Sequence, residues 1–512
     1  MNVGEIVEES AKTSPDRIAV IFGDESITYA ELDQTVNRVA NGLIELGVKP
    51  GDRVAIQITN RPQFIQAFYG VLRAGGTVVP VNVMYKVDET AYLLEDSGAS
   101  LYIVLEPFYP LVAAARERAP GLEHIVVVGQ TPPAGTVSWA RLAGHPNAAL
   151  PGVGVEESAP AVICYTSGTT GRAKGAVLTH HNLVYNCQQC DQLQALQIGP
   201  DDRALLVLPL FHIYALNVGL NLSLYKGAGV VLMERFEPLA SLQAIEKHGV
   251  SVLYAVPPMY IAWLNTPGLD ESHFPKLRIA VSGAAALPVS ILERFQEITG
   301  VTIWEGYGLT EVSPVATSNS AGPRPKPGTI GLAVPGMEAR VVDDNDEDVP
   351  RGQPGELILR GENVMLGYWH RPEDTAEAMQ GGWFHTGDIV TQDEDGYFTI
   401  VDRKKDMINV GGMNVYPREV EELLYRHPKV AEAAVLDYPD PYQGECVMAV
   451  IVPKPDAGEI DPQEIIDYCR ERIAVFKAPR KVVFRESLPR NLSGKVVKRE
   501  LREQLQQTTA GS

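Results

Sequence analysis

Residues 165–175, "YTSGTTGRAKG", hold hydroxyls, glycines and cations at a density that a plain surface turn does not need. Thr166, Ser167, Thr169 and Thr170 offer hydroxyls, Gly168 and Gly171 let backbone N–H groups approach a ligand closely, and Lys174 adds a point charge. Such groups suit phosphate oxygens. The spacing is not that of a Walker A loop, which ends in Gly-Lys followed by Ser or Thr. The apolar "AVICY" before the loop predicts a strand, which favours a phosphate cradle over a surface turn. "EGYGLTE" places Gly306 and Gly308 around Tyr307, whose ring can stack on a base. Thr310 supplies a hydroxyl, and Glu311 a hard oxygen ligand for Mg²⁺. A tight turn ahead of a helix would read the same way.

Three further segments carry candidate groups. Asp388 in "FHTGDI" could grip ribose hydroxyls, as acidic residues do in dinucleotide sites, or sit in an ordinary turn. Arg403 in "VDRKKD" is a fork suited to phosphate, although most such charge runs are solvated. Lys495 in "PRNLSGKVVKREL" follows a Ser-Gly turn. It is either a solubilising lysine or a cation that a mobile loop swings toward developing charge.

The elements that must position these groups are legible in outline. Thr28 and Glu31 have capping-box spacing. Leu32, Val36, Val39, Ala40 and Leu43 share one helical face, and Gly47 stops the helix. The strand "DRVAIQI" follows, and helix, glycine and strand then alternate through "FIQAFYGVLRAGGTVVPV", "LEDSGASLYIVL", "AIEKHGVSVLYAV" and "FPKLRIAVSG". That alternation predicts α/β architecture with crossover helices. From about Gly328, short strands between glycine turns predict a β-rich sub-domain. After Asp406, strands and helices alternate again in a small α+β domain. Residues 1–402 are expected to form one domain, its β-rich part covering 328–402, and 407–512 a second, with 403–406 as an exposed hinge.

The 512 residues exceed one compact core, and 45% hydrophobic with 21% charged residues is ordinary globular composition. A net charge of −20 argues against a nucleic-acid partner but allows a local basic patch for one small anion. No signal-peptide pattern and no apolar run of about 18 residues is present, so a cytoplasmic protein without an integral membrane segment is expected. Five cysteines suit a reducing compartment. Cys187 and Cys190 form a C-x-x-C read as two thiols on one helix face, because a zinc site would need two further ligands.

In this order and at these separations, "YTSGTTGRAKGAVLTH", "EGYGLTE", "TGD", "DRKKDMI" and "LPRNLSGKVVKREL" resemble the adenylate-forming superfamily of acyl- and aryl-CoA synthetases, luciferases and peptide-synthetase adenylation domains. The resemblance covers nearly the whole chain. It implies a large N-terminal domain of two α/β sub-domains plus a β-rich one, with a small mobile C-terminal domain. It also implies a two-step reaction: a carboxylate attacks the α-phosphorus of ATP, then coenzyme A displaces AMP. ATP, Mg²⁺ and coenzyme A are the implied cofactors, and a small-molecule carboxylate is the implied partner. A homodimer is left open.

By the same resemblance, residues 166–171 cradle the β- and γ-phosphates with Lys174 nearby, Glu311 holds Mg²⁺ and Thr310 contacts the α-phosphate. Tyr307 stacks on adenine, and Glu305 stands where the family usually has an amide that reads the adenine amino group. Asp388 binds ribose, Arg403 supports the nucleotide, and Lys495 bridges the two reacting groups. Lys405 takes the hinge position, Gly411 and Gly412 line a narrow thiol tunnel, and Lys477 and Arg480 are candidates for the coenzyme A phosphate. His212 falls where acyl pocket and tunnel meet, or is a structural histidine. Tyr214 and Asn217 fall on the pocket wall, and Gly283, Ala284, Ala285 and Ala286 between that pocket and the adenine site. The hinge region and "GGMNVYPREVEELL" look most like fatty-acyl-CoA synthetases, so a medium- or long-chain fatty acid is the expected substrate. "PLFHIYALN" is equally at home in 4-coumarate-CoA ligases, which keeps an aryl acid as the alternative. An adenylating enzyme that serves a carrier protein or an amine, light-emitting chemistry and a non-catalytic sensor are the remaining readings.

Overall fold

The computed structural model describes residues 1–166, 172–411, 413–440, 444–455, 457–490 and 496–510. The chain packs as two compact units: Met1–Glu338 with Leu359–Phe384, and Ala339–Ile358 with His385–Ser512.

The first unit is built on two large sheets. One orders its strands Gly367–Tyr368, Lys174–Thr179, Pro160–Thr166, Thr77–Pro80, Arg53–Gln57, Leu101–Leu105, His124–Val128 and Val137–Ser138. It is parallel from Pro160–Thr166 onward and antiparallel at the Gly367 edge. The other orders Leu332–Ala333, Val315–Ser318, Ile303–Gly308, Ile279–Ser282, Val252–Ala255, Arg203–Leu206, Gly229–Leu232, Ile18–Phe22 and Glu25–Thr28. Runs such as "LYIVL" and "IAVS" are buried throughout and almost wholly apolar because helices cover both faces of a parallel sheet.

Local signals operate as the sequence predicts. Thr28 caps the helix Tyr29–Glu45 by accepting from Glu31 N at 3.3 Å, and Glu31 Oε2 accepts from Thr28 N at 2.9 Å. Leu32, Val36, Val39, Ala40 and Leu43 are fully buried. Gly47, at φ +95°, ends the helix in a conformation that disfavours a side chain.

In the second unit, Ala339–Val342, Gly355–Ile358, His385–Gln392 and Phe398–Arg403 contribute to one sheet. The other has Val430–Asp440 and Gly444–Pro453 at its centre. Their alternation serves two cores. Ala433, Val435, Val447, Ala449 and Ile451 face the helices Pro417–Tyr425 and Pro462–Arg470. Ala434, Leu436, Met448 and Val450 face Leu501 of the helix Lys498–Ala510.

Candidate active site

The first unit brings the strands that flank the loop, the "EGYGLTE" segment and a tyrosine together. Strands Pro160–Thr166 and Lys174–Thr179 form an antiparallel hairpin that pairs Thr166 with Lys174. Ser167, Gly168, Thr169, Thr170 and Gly171 lie outside the described residues. Both flanks are anchored. Tyr165 Oη donates to Asp96 Oδ2 at 2.7 Å, and Tyr92 Oη donates to the Ala173 carbonyl at 2.7 Å. Arg172 lies over the Tyr92 ring at 5.4 Å. A Cβ on Gly175 would stand 2.7 Å from Ile163, so only glycine allows this close approach. Lys174 pairs with Asp374 and faces the Tyr368 ring at 5.3 Å.

"EGYGLTE" forms the end of the strand Ile303–Gly308 and a short 3₁₀ turn, Thr310–Val312. The sequence offered a turn before a helix as the bland alternative; the chain instead turns back into the antiparallel strand Val315–Ser318. A Cβ on Gly308 would lie 1.9 Å from the Pro314 carbonyl oxygen, so the reversal requires glycine. Three buried asparagines clamp it. Asn217 Nδ2 donates to the carbonyls of Ser313 (2.6 Å) and Leu183 (3.1 Å), and Asn363 Nδ2 to that of Val312 (2.7 Å). Asn186 bonds both backbone groups of Val315. Asn217, 1% exposed, thus spends its amide on backbone rather than on an open pocket wall.

Glu311 is 9% exposed, and its Oε1 accepts from Tyr368 Oη at 2.9 Å. Burial, with the Glu311 charge adding, raises the Tyr368 pKa, so the phenol stays a donor. The Cys164 thiol, on the strand leading into the loop, is pushed up to about 12 by burial and then by Glu311. It is therefore an inert neutral thiol.

Glu305 is buried, and its Oε1 accepts from Leu287 N at 3.2 Å, which ties it to the "VSGAAALP" loop. In that loop Gly283 is buried, Ala284, Ala285 and Ala286 are exposed, and Ala284 takes φ +67°. A left-handed alanine is strained, and such strain gathers at ligand sites. A Cβ on Gly283 would meet the Tyr214 ring at 3.3 Å. Tyr214 opens the π-helix Tyr214–Asn221; it is half-buried, its ring stands edge-on to Tyr254, and its hydroxyl is buried. His212 is exposed to solvent, yet desolvation lowers its pKa. Tyr307 and Thr310 are half-exposed, on the same segment as Glu311.

The second unit holds the other candidates. Asp388 and Arg403 face each other across paired strands, with Arg403 Nε 2.9 Å from Asp388 Oδ1. Asp388 is 3% exposed and follows Gly387, at φ +68°. Glu356 accepts from Gly387 N and from Lys404 Nζ. Burial opposes the Lys404 charge, but Asp344 and Glu356 outweigh it and raise its pKa. Asp402 accepts from the backbone N–H groups of Arg403 and Arg418, both at 2.7 Å, and burial raises its pKa. Lys498 pairs with Glu421 at 2.9 Å; burial works against its charge, but Glu421 and Asp402 raise its pKa. The Lys405 side chain lies outside the described residues, as do Gly412 and Lys495. Gly411, at φ +59°, turns the hairpin of Ile408–Val410 and Met413–Val415. Lys477 pairs with Glu419 (2.7 Å) and Arg480 with Asp440 (3.1 Å). The ends of the Lys495 loop are pinned by the Arg490–Val496 bridge and by Val497 N donating to the Pro489 carbonyl.

Sequence reasoning missed Tyr368, Asp374, Asn186 and Asn363. None stands in a glycine-rich motif, and only the fold brings them beside one. Among the described residues, no three His, Cys, Asp or Glu side chains converge to cage a metal. No helix among them is long and apolar enough to cross a membrane.

The chain is similar to known proteins along nearly its whole length. The AMP-binding enzyme family matches residues 7–369, and the AMP-binding enzyme C-terminal domain matches 419–495. A feruloyl-CoA synthase of Amycolatopsis is 40% identical over 96% of both chains. A long-chain-fatty-acid–CoA ligase of Bacillus subtilis is 35% identical, over 98% of this chain and 94% of its own. The crystal structure of an anthranilate CoA ligase with anthranoyl-AMP superposes with a TM-score of 0.91 at 32% identity, over 100% of this chain and 98% of its own. A buried acidic "EGYGLTE" turn beside a hydroxyl- and glycine-rich hairpin, in a chain matched nearly end to end, makes this protein a member of the AMP-binding enzyme family of acyl-CoA synthetases and ligases.

Proposed function

We propose that the protein is an AMP-forming acid–thiol ligase for a hydrophobic carboxylate, with a planar aryl or arylpropenoate acid as the favoured substrate. ATP, Mg²⁺ and coenzyme A are the cofactors of this chemistry. The carrying observation is that Glu311 and Lys174 both engage Tyr368: a hard carboxylate oxygen and a cation on one tyrosine suit a metal-bound triphosphate.

A carboxylate cannot be attacked usefully by a thiol, because oxide is a poor leaving group; AMP is a good one. In the first step the substrate carboxylate displaces pyrophosphate at the α-phosphorus, a reaction governed by positioning and charge stabilisation. Residues 166–171 and Lys174 hold the β- and γ-phosphates, Thr310 the α-phosphate, and Lys495 the charge that grows between the reacting groups. Mg²⁺, when bound, neutralises phosphate charge, and Glu311 is the residue that would hold it. Tyr307 and Glu305 take the adenine, Asp388 the ribose, and Arg403 orients Asp388 while adding positive charge. In the second step the domain 407–512 turns about Lys405, Gly411 and Gly412 face the thiol path, and coenzyme A displaces AMP. Lys477 and Arg480 would have to exchange their carboxylate partners for a coenzyme A phosphate.

The aryl reading rests on the half-buried Tyr214, whose ring is backed by Tyr254 and set against Gly283, a flat wall suited to a planar acid. Similarity to the feruloyl-CoA synthase supports it. The fatty-acid reading draws on the room left by Ala284, Ala285 and Ala286 and on the Bacillus subtilis relative. Pyrophosphate release with Mg-ATP would be measured across ferulate, 4-coumarate, benzoate, octanoate and palmitate, with and without coenzyme A. AMP formation that depends on coenzyme A and is fastest with ferulate or 4-coumarate supports the proposal. Faster turnover of palmitate or octanoate restores the fatty-acid reading. Release indifferent to coenzyme A points to a carrier protein or an amine as acceptor.

A further inference from the structure

The segment Met365–Trp369 joins the two halves of the candidate phosphate site. Its backbone grips the hairpin: Leu366 N donates to the Val177 carbonyl at 3.0 Å and Trp369 N to that of Gly175 at 2.8 Å. It also grips the acidic turn, because Met365 N donates to the Glu311 carbonyl at 2.8 Å. Tyr368 projects between them. Its hydroxyl bonds Glu311 Oε1 at 2.9 Å, and its ring faces Lys174 Nζ at 5.3 Å.

Tyr368 is itself fixed from behind. Its N–H donates to Thr375 Oγ1 at 2.8 Å. Gly367 precedes it at φ +145°, where an added Cβ would lie 2.6 Å from Thr375 Cγ2. The Lys174 partner, Asp374, belongs to the same short helix as Thr375. One structural unit therefore sets both the carboxylate and the cation.

We propose that Tyr368 is a positioning residue that holds the Glu311 carboxylate in the orientation in which it meets the Mg²⁺ of bound ATP. The inference rests on the reading of Glu311 as the metal-holding residue. The donor set fits that group: Mg²⁺ is ordinarily held by one or two carboxylates, with phosphates and water completing its shell. A carboxylate has about four acceptor directions, and a charge-assisted bond from a fixed phenol selects which of them turn toward the phosphates. Outer hydrogen bonds of this kind tune metal affinity by orienting the ligand.

The test is Tyr368→Phe, which keeps the ring over Lys174 and removes only the hydroxyl. Binding of α,β-methylene-ATP would be measured calorimetrically at graded Mg²⁺ for the wild type, Tyr368→Phe, Glu311→Gln and the double variant. The half-saturating Mg²⁺ concentration should rise about 10–100-fold in Tyr368→Phe, with metal-free binding unchanged. The double variant should be no worse than Glu311→Gln. A Tyr368→Phe protein that loses metal-free and metal-dependent binding alike, or keeps the wild-type Mg²⁺ requirement, overturns the proposal. If Glu311→Gln shifts the Mg²⁺ dependence and Tyr368→Phe does not, this inference alone fails. If Glu311→Gln leaves that dependence unchanged, the assignment of Glu311 fails and takes this inference with it.

Discussion

Asn217 separates two accounts of the same motif. From "PLFHIYALN" it is expected on the acyl-pocket wall, where replacement would alter the acid's KM. In the structure it is 1% exposed, with Nδ2 on the Ser313 and Leu183 carbonyls and Oδ1 accepting from Asn221 Nδ2 at 2.9 Å. Asn217→Leu keeps the branched shape but strands the Ser313 carbonyl and the Asn221 amide in the interior, while the Leu183 carbonyl keeps its helix bond. At about 1–3 kcal/mol for each of the two stranded groups, the loss is roughly 2–6 kcal/mol. Unfolding entropy of about 2.1 cal/mol/K per residue over the roughly 360 residues of the first unit converts this into a fall of ~3–8 °C in its Tm. Because Ser313 follows the Thr310–Val312 turn, the KM for ATP should rise more than the KM for the acid. Calorimetric melting together with steady-state kinetics reads both quantities. A variant that melts within about 1 °C of the wild type and changes only the KM for the acid would refute the clamp.

Three other outcomes are expected. Lys495→Ala should slow adenylation by about 10²–10³ while largely sparing thioester formation from a supplied acyl-adenylate; equal losses in the two half-reactions would contradict its assignment. Lys498→Met should destabilise the second unit by about 1–3 kcal/mol, since Glu421 and the buried Asp402 lose a half-buried cation, and urea unfolding unchanged from wild type would count against that pairing. Burial holds the His180 pKa at about 4 against an ordinary 6.5, with Nδ1 accepting from Val3 N at 3.2 Å. The unfolded chain takes up this proton first. The histidine's contribution is therefore complete above pH 6.5 and lost as pH falls toward 4, on the order of 3 kcal/mol in all. The Tm of His180→Gln should fall less steeply than wild type across that window; parallel curves would exclude the effect.

Local signals in the chain reached the structure with little loss. The Thr28–Glu31 cap, the glycine stops and the apolar runs fold as their spacing predicts, because each depends on residues within a turn or two. "EGYGLTE" shows where that reach ends. Its glycines were visible, but that Gly308 faces the Pro314 carbonyl in a strand reversal depends on chain that returns beside it.

The sequence by itself determined the chemistry on offer: a phosphate-seeking loop, an acidic turn, a ribose-type aspartate and a terminal lysine, in an order that belongs to one family. Those groups are contiguous in short motifs, so type and spacing suffice. Only the tertiary structure decided how they are held. Tyr368 meets Glu311 across 57 positions of chain, Asp374 meets Lys174 across 200, and Asn217 reaches Ser313 across 96. Such partners leave no local periodicity. Their cause is the burial of polar groups, which must be satisfied by whatever the packed sheets and helices bring within about 3 Å.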